Sequence, residues 1–394
     1  MRESTFRALW SASLVANLGT WAQTVGGAWL MTTLTSDALP VALMQSAVTL
    51  PALLLGLPAG SLADRIDRRK LLLATQSWML FSAAALALVT MAGLVQPWLL
   101  LALTFSLGIG SALSSPTWSS LLPDVVSRPQ LPMAVITNSL GYNVARAVGP
   151  TFGGVLFAVV GPAGTFIANA LSFAAPIGVL ARMRPLPRPP KPTSGESFFG
   201  TVRSGLTYVR QDPVQRVVLM RSILWMLCAS ALWSLLPLVA RYELGLDVPG
   251  YGFLVTCVGG GAVLGAMALP ALRQRWQSNQ LLMGAVVIFS LMLLVLAWVR
   301  VLPVVLVMLA LGGAAWTQSN QNFQIAVQLG APGFVRARAI AMYLLTFQGG
   351  QAVGSAIWGS AAEQFGDSLA LTIAALGVAL SLVAAVRWPV KDPV

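Results

Sequence analysis

Arg146 lies about 14 residues into an apolar run that extends over roughly 132–158. On a helix rising 1.5 Å per residue that is ~21 Å from the start, close to mid-bilayer if the run crosses a membrane. Insertion scales set such a charge at about 2.5–3.5 kcal/mol, so it must face the protein interior or a water-filled cavity. Asn138 and Tyr142, eight and four residues earlier, share its helical face. Other uncharged polar side chains interrupt apolar runs: Asn17, Gln23, Gln318, Asn320, Gln321, Asn322, Gln348 and Gln351. Each can tie helix to helix, the simpler account of any one of them. Their concentration in four runs suggests that several line a cavity. Trp225 and Trp233, eight residues apart, offer an aromatic wall, although Trp225 near the end of its run reads as an interfacial anchor. These groups suit recognition of a solute. Catalysis has little to work with: the chain has no His, Cys228 and Cys257 sit in apolar runs, and no Ser/acid constellation or metal-ligand cluster stands out. No cofactor and no metal are expected. No Asp or Glu falls in the middle third of an apolar run, so a carboxylate that alternates protonation would have to be Asp64, Asp124, Glu363 or Asp37, each of which reads more simply as a structural cap or loop charge.

The elements that position these groups are long apolar segments. The chain is 57% hydrophobic and 9% charged, against about 25% charged for a soluble domain. Spans are expected at about 8–33, 40–62, 71–94, 98–118, 132–158, 164–182, 216–240, 249–271, 279–299, 303–325, 338–362 and 369–387. The first is too long and too polar for a cleaved signal peptide and reads as a retained span. The net charge of +12 could suggest nucleic acid, but the placement of the charges along the chain argues for a topology signal instead. Counting loops alternately, all but three of the 24 Lys/Arg fall on one side; Arg241 and Arg300 lie on the other and Arg146 lies within a span. That bias predicts cytoplasmic termini.

Between the second and third spans, residues Gly60 to Lys70 hold six charges: Asp64, Arg65, Asp67, Arg68, Arg69 and Lys70. Such a short charged hinge predicts a cytoplasmic helix–helix turn. In the middle of the chain, five prolines between 184 and 195 exclude a helix. An amphipathic stretch follows, with Phe198, Phe199, Val202, Leu206 and Val209 opposite Arg203 and Arg210, which predicts a surface helix. The domains are therefore a six-span half at 1–183, a linker at 184–215 and a second six-span half at 216–394. The halves look like copies. Gly60 and Gly265 both enter basic turns, and the run from Arg146 to Gly154 maps onto Gln351 to Gly359 at the same offset of 205. Ala145, Gly149 and Gly153 at four-residue spacing form a flat face for another helix, and Pro150 permits a kink.

The Gly60–Lys70 turn resembles the signature loop of the major facilitator superfamily, roughly G-x-L-a-D-r-x-G-r-R/K; Gly60, Asp64, Arg65, Arg68 and Arg69 fit, and Asp67 replaces the usual glycine. The run with Gly149, Pro150, Gly153 and Gly154 resembles the antiporter motif of its drug exporters, with Ala145 where an earlier glycine stands. Within the superfamily the chain is similar to the bacterial branch with the enterobactin exporter and macrolide-efflux-type proteins, on FRALW at 6–10, NLGTW at 17–21, the Asp64–Arg69 turn and the stretch 205–212. The resemblance implies an all-α membrane protein of twelve helices in two pseudo-symmetric halves. It also implies export of a small organic molecule by alternating access, with the proton as coupling ion, from a monomer in the bacterial cytoplasmic membrane. A facilitator or lysophospholipid-type transporter would share the fold.

Overall fold

The computed structural model describes residues 2–183, 207, 210–332 and 336–387. The expected proline-rich linker and most of the amphipathic stretch lie outside these residues. The described chain is helical throughout: α1 (Arg2–Leu34), α2 (Ala38–Arg65), α3 (Arg68–Met91), α4 (Pro97–Val125), a 3₁₀ turn (Arg128–Gln130), then one long element, Leu131–Arg182. That element is broken at Gly161, whose φ of 72° no ordinary side chain adopts easily, into α5 (131–160) and α6 (162–182). After the linker come α7 (Pro213–Leu238), ending in a π turn (Val239–Glu243), α8 (Val248–Arg273), α9 (Ser278–Trp298), α10 (Leu302–Gly330), α11 (Arg336–Phe365) and α12 (Asp367–Arg387). Twelve helices stand where twelve apolar runs were expected. The turn between α11 and α12 also uses a left-handed glycine, Gly366 at φ 84°, 205 residues after Gly161.

Compactness groups the chain into two units. One holds Met1–Thr35, Leu50–Gly195 and Asp247–Thr256; the other holds Ser36–Thr49, Glu196–Leu246 and Cys257–Val394. The start of α2 thus belongs with the helices α7 to α12, and the start of α8 with α1 to α6.

In the first unit, Leu9, Leu72, Leu121, Val125, Ala134 and Leu180 build a core at the end where the basic turn lies. Ala16, Met79, Ala83, Leu107, Ala170 and Phe173 build a second core. Gly110 of α4 receives the Met79 side chain of α3, and in the second unit Gly312 of α10 receives Met292 of α9. Small residue against flexible thioether is thus used twice. Trp225 is buried at 1% exposure in the second unit and packs on Phe289 with ring centroids 5.0 Å apart. The interfacial-anchor reading of Trp225 therefore fails: its neighbours, not its distance from the helix end, decide where it sits.

Candidate functional site

The basic turn joins three helices of the first unit. Asp67 caps α3, its carboxylate accepting from the backbone N–H of Arg69 at 2.9 Å and of Lys70 at 3.4 Å. An aspartate is the better choice here than the usual glycine, since it satisfies donors that the first helical turn leaves open and sits at the positive end of the dipole. Arg68 pairs with Asp124 of α4 at 2.7 Å. Arg69 donates to the carbonyls of Leu180 at 2.6 Å and Ala181 at 2.9 Å, closing the end of α6. Gly60 lies in α2 with open space where a Cβ would stand. Its sequence counterpart Gly265 instead meets Ala314 of α10. The side chains of Asp64 and Arg65 lie outside the described residues. Asp124 is thus committed to Arg68, while Asp37 and Glu363 are exposed.

α5 presents two small-residue faces. Gly141, Ala145, Gly149 and Gly153 recur every four residues along the first, and α1 lies against it. A Cβ on Gly141 would stand 2.7 Å from the indole nitrogen of Trp10, one on Gly149 2.6 Å from Trp21 Cβ, and one on Gly153 2.9 Å from Ala22 Cβ. The second face, from Pro150 to Gly154, receives the start of α8. Val248 O and Pro249 Cα lie 2.7 and 3.0 Å from a Cβ on Gly154. Thr151 donates from its backbone N–H and its hydroxyl to Thr256 Oγ1, at 3.2 and 2.8 Å. α5 stays helical through Pro150; the only non-helical residue inside the element is Gly161.

The second unit repeats this arrangement. Gly354 of α11 faces Leu227 and Ser230 of α7, and Gly359 receives Ala42 and Leu39 at the start of α2. Ser46 donates to Ala352 O at 2.7 Å, the same kind of hydroxyl pin as Thr256. Sequence reading found the glycines on both helices. It did not find their partners on α2 and α8, because the small residues there carry no spacing signal of their own.

Arg146 is half-buried and makes no hydrogen bond or ion pair with a described residue. Tyr142, one turn earlier, is 50% exposed. Asn138 accepts from the Trp118 indole N–H at 3.0 Å. The other polar residues divide. Gln23 is buried and its side-chain oxygen accepts from Asn169 of α6, while the Ser172 hydroxyl donates to Asn169 O at 2.7 Å. That is a closed clasp between α1 and α6. Asn17 donates to Ser13 at 3.4 Å. Gln351 is buried, whereas Gln318, Gln321 and Gln348 are half-buried, as is Trp233. Asn322 accepts from Arg273 of α8, and Tyr343 donates to Asn320 O at 3.0 Å. At the opposite end of the second unit from Arg273, Arg300 pairs with Glu243 and reaches the carbonyls of Leu296 and Ala297 at 3.2 and 3.1 Å. Arg273 lies 49 residues from Asn322 and Arg300 lies 57 from Glu243, so periodicity gave no sign of these pairs. Among the described residues no group of three or more His, Cys, Asp or Glu is placed to hold a metal.

This arrangement of paired helices, tight crossings and sparse internal charge binds and moves solutes; it offers no reacting constellation. Its fold is that of solved membrane transporters. The nucleoside transporter NupG superposes with a TM-score of 0.79 at 14% identity, covering 98% of this chain and 99% of that one. A bacterial homologue of the iron transporter ferroportin gives a TM-score of 0.72 at 17% identity, covering 98% of each chain. In sequence, the chain is 24% identical over 388 residues to the multidrug efflux pump Tap of Mycobacterium tuberculosis, covering 96% of this chain and 92% of that one. It is 26% identical over 261 residues to the staphyloferrin A transporter of Staphylococcus aureus, 66% of this chain and 65% of that one. The latter match spans just under two thirds of its relative's length. The family model described as transmembrane secretion effector matches residues 1–393. The chain belongs to that family of major facilitator superfamily transporters and is a transporter, not an enzyme.

Proposed function

We propose that the chain exports a small organic molecule, siderophore- or drug-like, across the bacterial cytoplasmic membrane by alternating access, in exchange for protons, with both termini in the cytoplasm. The carrying observation is Arg146, a half-buried cation in an apolar helix with no described partner. A cation held at that depth needs counter-charge or acceptor oxygens, and a substrate with anionic or electron-rich oxygen groups supplies them. Relatives named as a siderophore transporter and as a multidrug efflux pump support the direction of transport. The Lys/Arg bias supports the orientation. On this reading Asn138 and Tyr142 accompany Arg146 in the first unit, Trp233, Gln318, Gln321 and Gln348 are the solute-contacting candidates of the second, and Asp64 governs the cycle through the basic turn.

Everted membrane vesicles test it, with a panel of carboxylate, catecholate, neutral and cationic compounds, with and without a proton gradient. Anionic compounds should accumulate only with the gradient. Arg146→Lys should retain part of their affinity and Arg146→Gln should lose most of it while neutral compounds are spared. Asp64→Asn should lower turnover and leave affinity within a few-fold. Gradient-independent movement would favour a facilitator. Equal loss for all compounds in Arg146→Gln, together with low protein yield, would make Arg146 structural.

A further inference from the structure

Six aromatic rings of the second unit form one connected chain across four helices. Trp225 (α7) meets Phe289 (α9) at 5.0 Å, and Phe289 meets Trp316 (α10) at 6.0 Å. Trp316 then branches, edge-on, to Trp233 (α7) at 5.8 Å and to Phe347 (α11) at 6.2 Å; Phe347 continues to Tyr343 at 6.4 Å. Trp225, Phe289, Trp316 and Tyr343 are buried. Trp233 and Phe347, the branch ends, are half-buried and keep ring surface free.

Tyr343 donates to Asn320 O, but four other polar atoms along this chain are unused. The indole N–H groups of Trp225 and Trp233 are buried and have no acceptor, and beside Trp316 the same holds for Thr317 Oγ1 and Ser319 Oγ. Trp358 shows the alternative on the same helix pair: its indole N–H donates to Leu227 O at 2.6 Å. Buried tryptophans normally find such an acceptor. A packed core would be filled with Leu and Phe rather than with indoles whose donors are wasted. A cavity wall has a different logic, since donors left open when the site is empty reward a ligand that brings acceptors.

We infer that the Trp233–Trp316–Phe347 cluster is a ring-stacking subsite, which takes a flat aromatic group carrying acceptor oxygens. It rests on the transport reading above and narrows it to a substrate class. Trp233 and Phe347 contribute open ring surface; Trp316 is the buried floor that holds both in edge-on geometry. Trp225 and Phe289 back the floor, and Trp233 supplies the donor. Aliphatic solutes gain nothing from this surface, so the subsite selects for aromaticity and leaves charge selection to Arg146.

Fluorescein, flat and rich in acceptor oxygens, is the probe, with binding followed by anisotropy on the purified full-length protein in detergent. Citrate competition reports on an aliphatic polyanion. The wild type should bind fluorescein, Trp233→Phe should lose a few-fold because it keeps the ring and lacks the N–H donor, and Trp233→Ala should lose about tenfold or more. Phe347→Leu, a milder change, should lose several-fold, and serves if Trp233→Ala does not fold. Trp78→Ala, an exposed indole on α3, should change nothing. Undetectable binding to the wild type overturns the inference. So does unaltered affinity in Trp233→Ala, or in Phe347→Leu if that variant is used, and so does an equal loss of citrate competition. The transport reading fails separately, if vesicles move no compound although fluorescein binds.

Discussion

Replacing Gly153 by alanine adds one methyl group, and the surroundings fix its consequence. The new Cβ would meet the backbone Cα of Ala22 most closely and would stand 2.9 Å from Ala22 Cβ and 3.1 Å from Ala22 O. Carbon atoms settle at about 3.5–4.0 Å, so α1 and α5 must part by roughly 1 Å at their crossing. Such a gap forfeits about a quarter to a half of the local dispersion attraction, and it extends one turn along to Trp21 on Gly149. Because the nearest atom is backbone and cannot turn away, overpacking here falls in the upper part of its usual range, about 2–3 kcal/mol, against which the gain in helix propensity is about 1 kcal/mol. The net change is about 1–2 kcal/mol destabilising. Gly178 of α6 is the internal control, because no atom lies within 4 Å of a Cβ there. Gly178→Ala keeps only the propensity gain and should stabilise by about 0.5–1 kcal/mol. The two variants, identical in chemistry, should therefore separate in apparent melting temperature by roughly 3 °C, with wild type between them. Thermal unfolding of detergent-purified protein, read by size-exclusion chromatography, measures this. A Gly153→Ala protein that melts with or above Gly178→Ala would refute the close α1–α5 crossing.

Asp67→Ala removes the α3 cap and should cost about 1 kcal/mol in thermal stability, with Asp67→Asn or Asp67→Ser recovering most of it; equal melting of Asp67→Ala and wild type would show that the cap is idle. Asp124→Asn should lower stability by about 1 kcal/mol through loss of the half-buried Arg68 pair, and the exchanged pair R68D/D124R should recover it. A transport loss that the exchange does not repair would instead give Asp124 the coupling proton. Asn169→Leu strands the Gln23 amide in the α1–α6 contact and should cost about 2–3 kcal/mol, more than the isolated change Asn17→Leu on the same α1; the two are compared by melting temperature.

Twelve apolar runs became twelve helices because length and composition alone decide whether a segment can satisfy its backbone in lipid. The breaks fell between the expected runs, and the structure supplies their local causes: Gly161 and Gly366 are left-handed, and Asp67 is a cap. Faces were legible too, since a four-residue glycine repeat on α5 can only make a flat strip. What the strip touches was not. Trp21 and Ala22 lie about 130 residues from it, and no periodicity encodes a partner at that distance. The same gap misled the reading of Trp225, whose place near a helix end suggested an interface while it is buried against Phe289. Gln23 shows the limit for polar groups: an amide in an apolar run announces a need for hydrogen bonds, and only the fold reveals that Asn169 answers it.

The two units share one scaffold and differ where chemistry is expected. At an offset of 205 the correspondence holds for Gly161 and Gly366 at the helix breaks, for Gly149 and Gly354 against α1 and α7, and for Gly154 and Gly359 against the starts of α8 and α2. Each of these positions tolerates no side chain without strain or clash, so a duplicated fold has reason to keep glycine there. The same offset pairs Arg146 with Gln351. One is a half-buried cation without a described partner; the other is a buried amide. Packing cannot account for a charge at one of two equivalent places, because the copy that lacks the charge builds the same helix crossing. On the proposed reading the asymmetry belongs to what the protein binds. The second unit departs in its own way, gathering six rings where the first has none in such a chain among the described contacts. On the proposed reading, charge recognition belongs to the first unit and ring recognition to the second, so each unit is tested by its own substitutions.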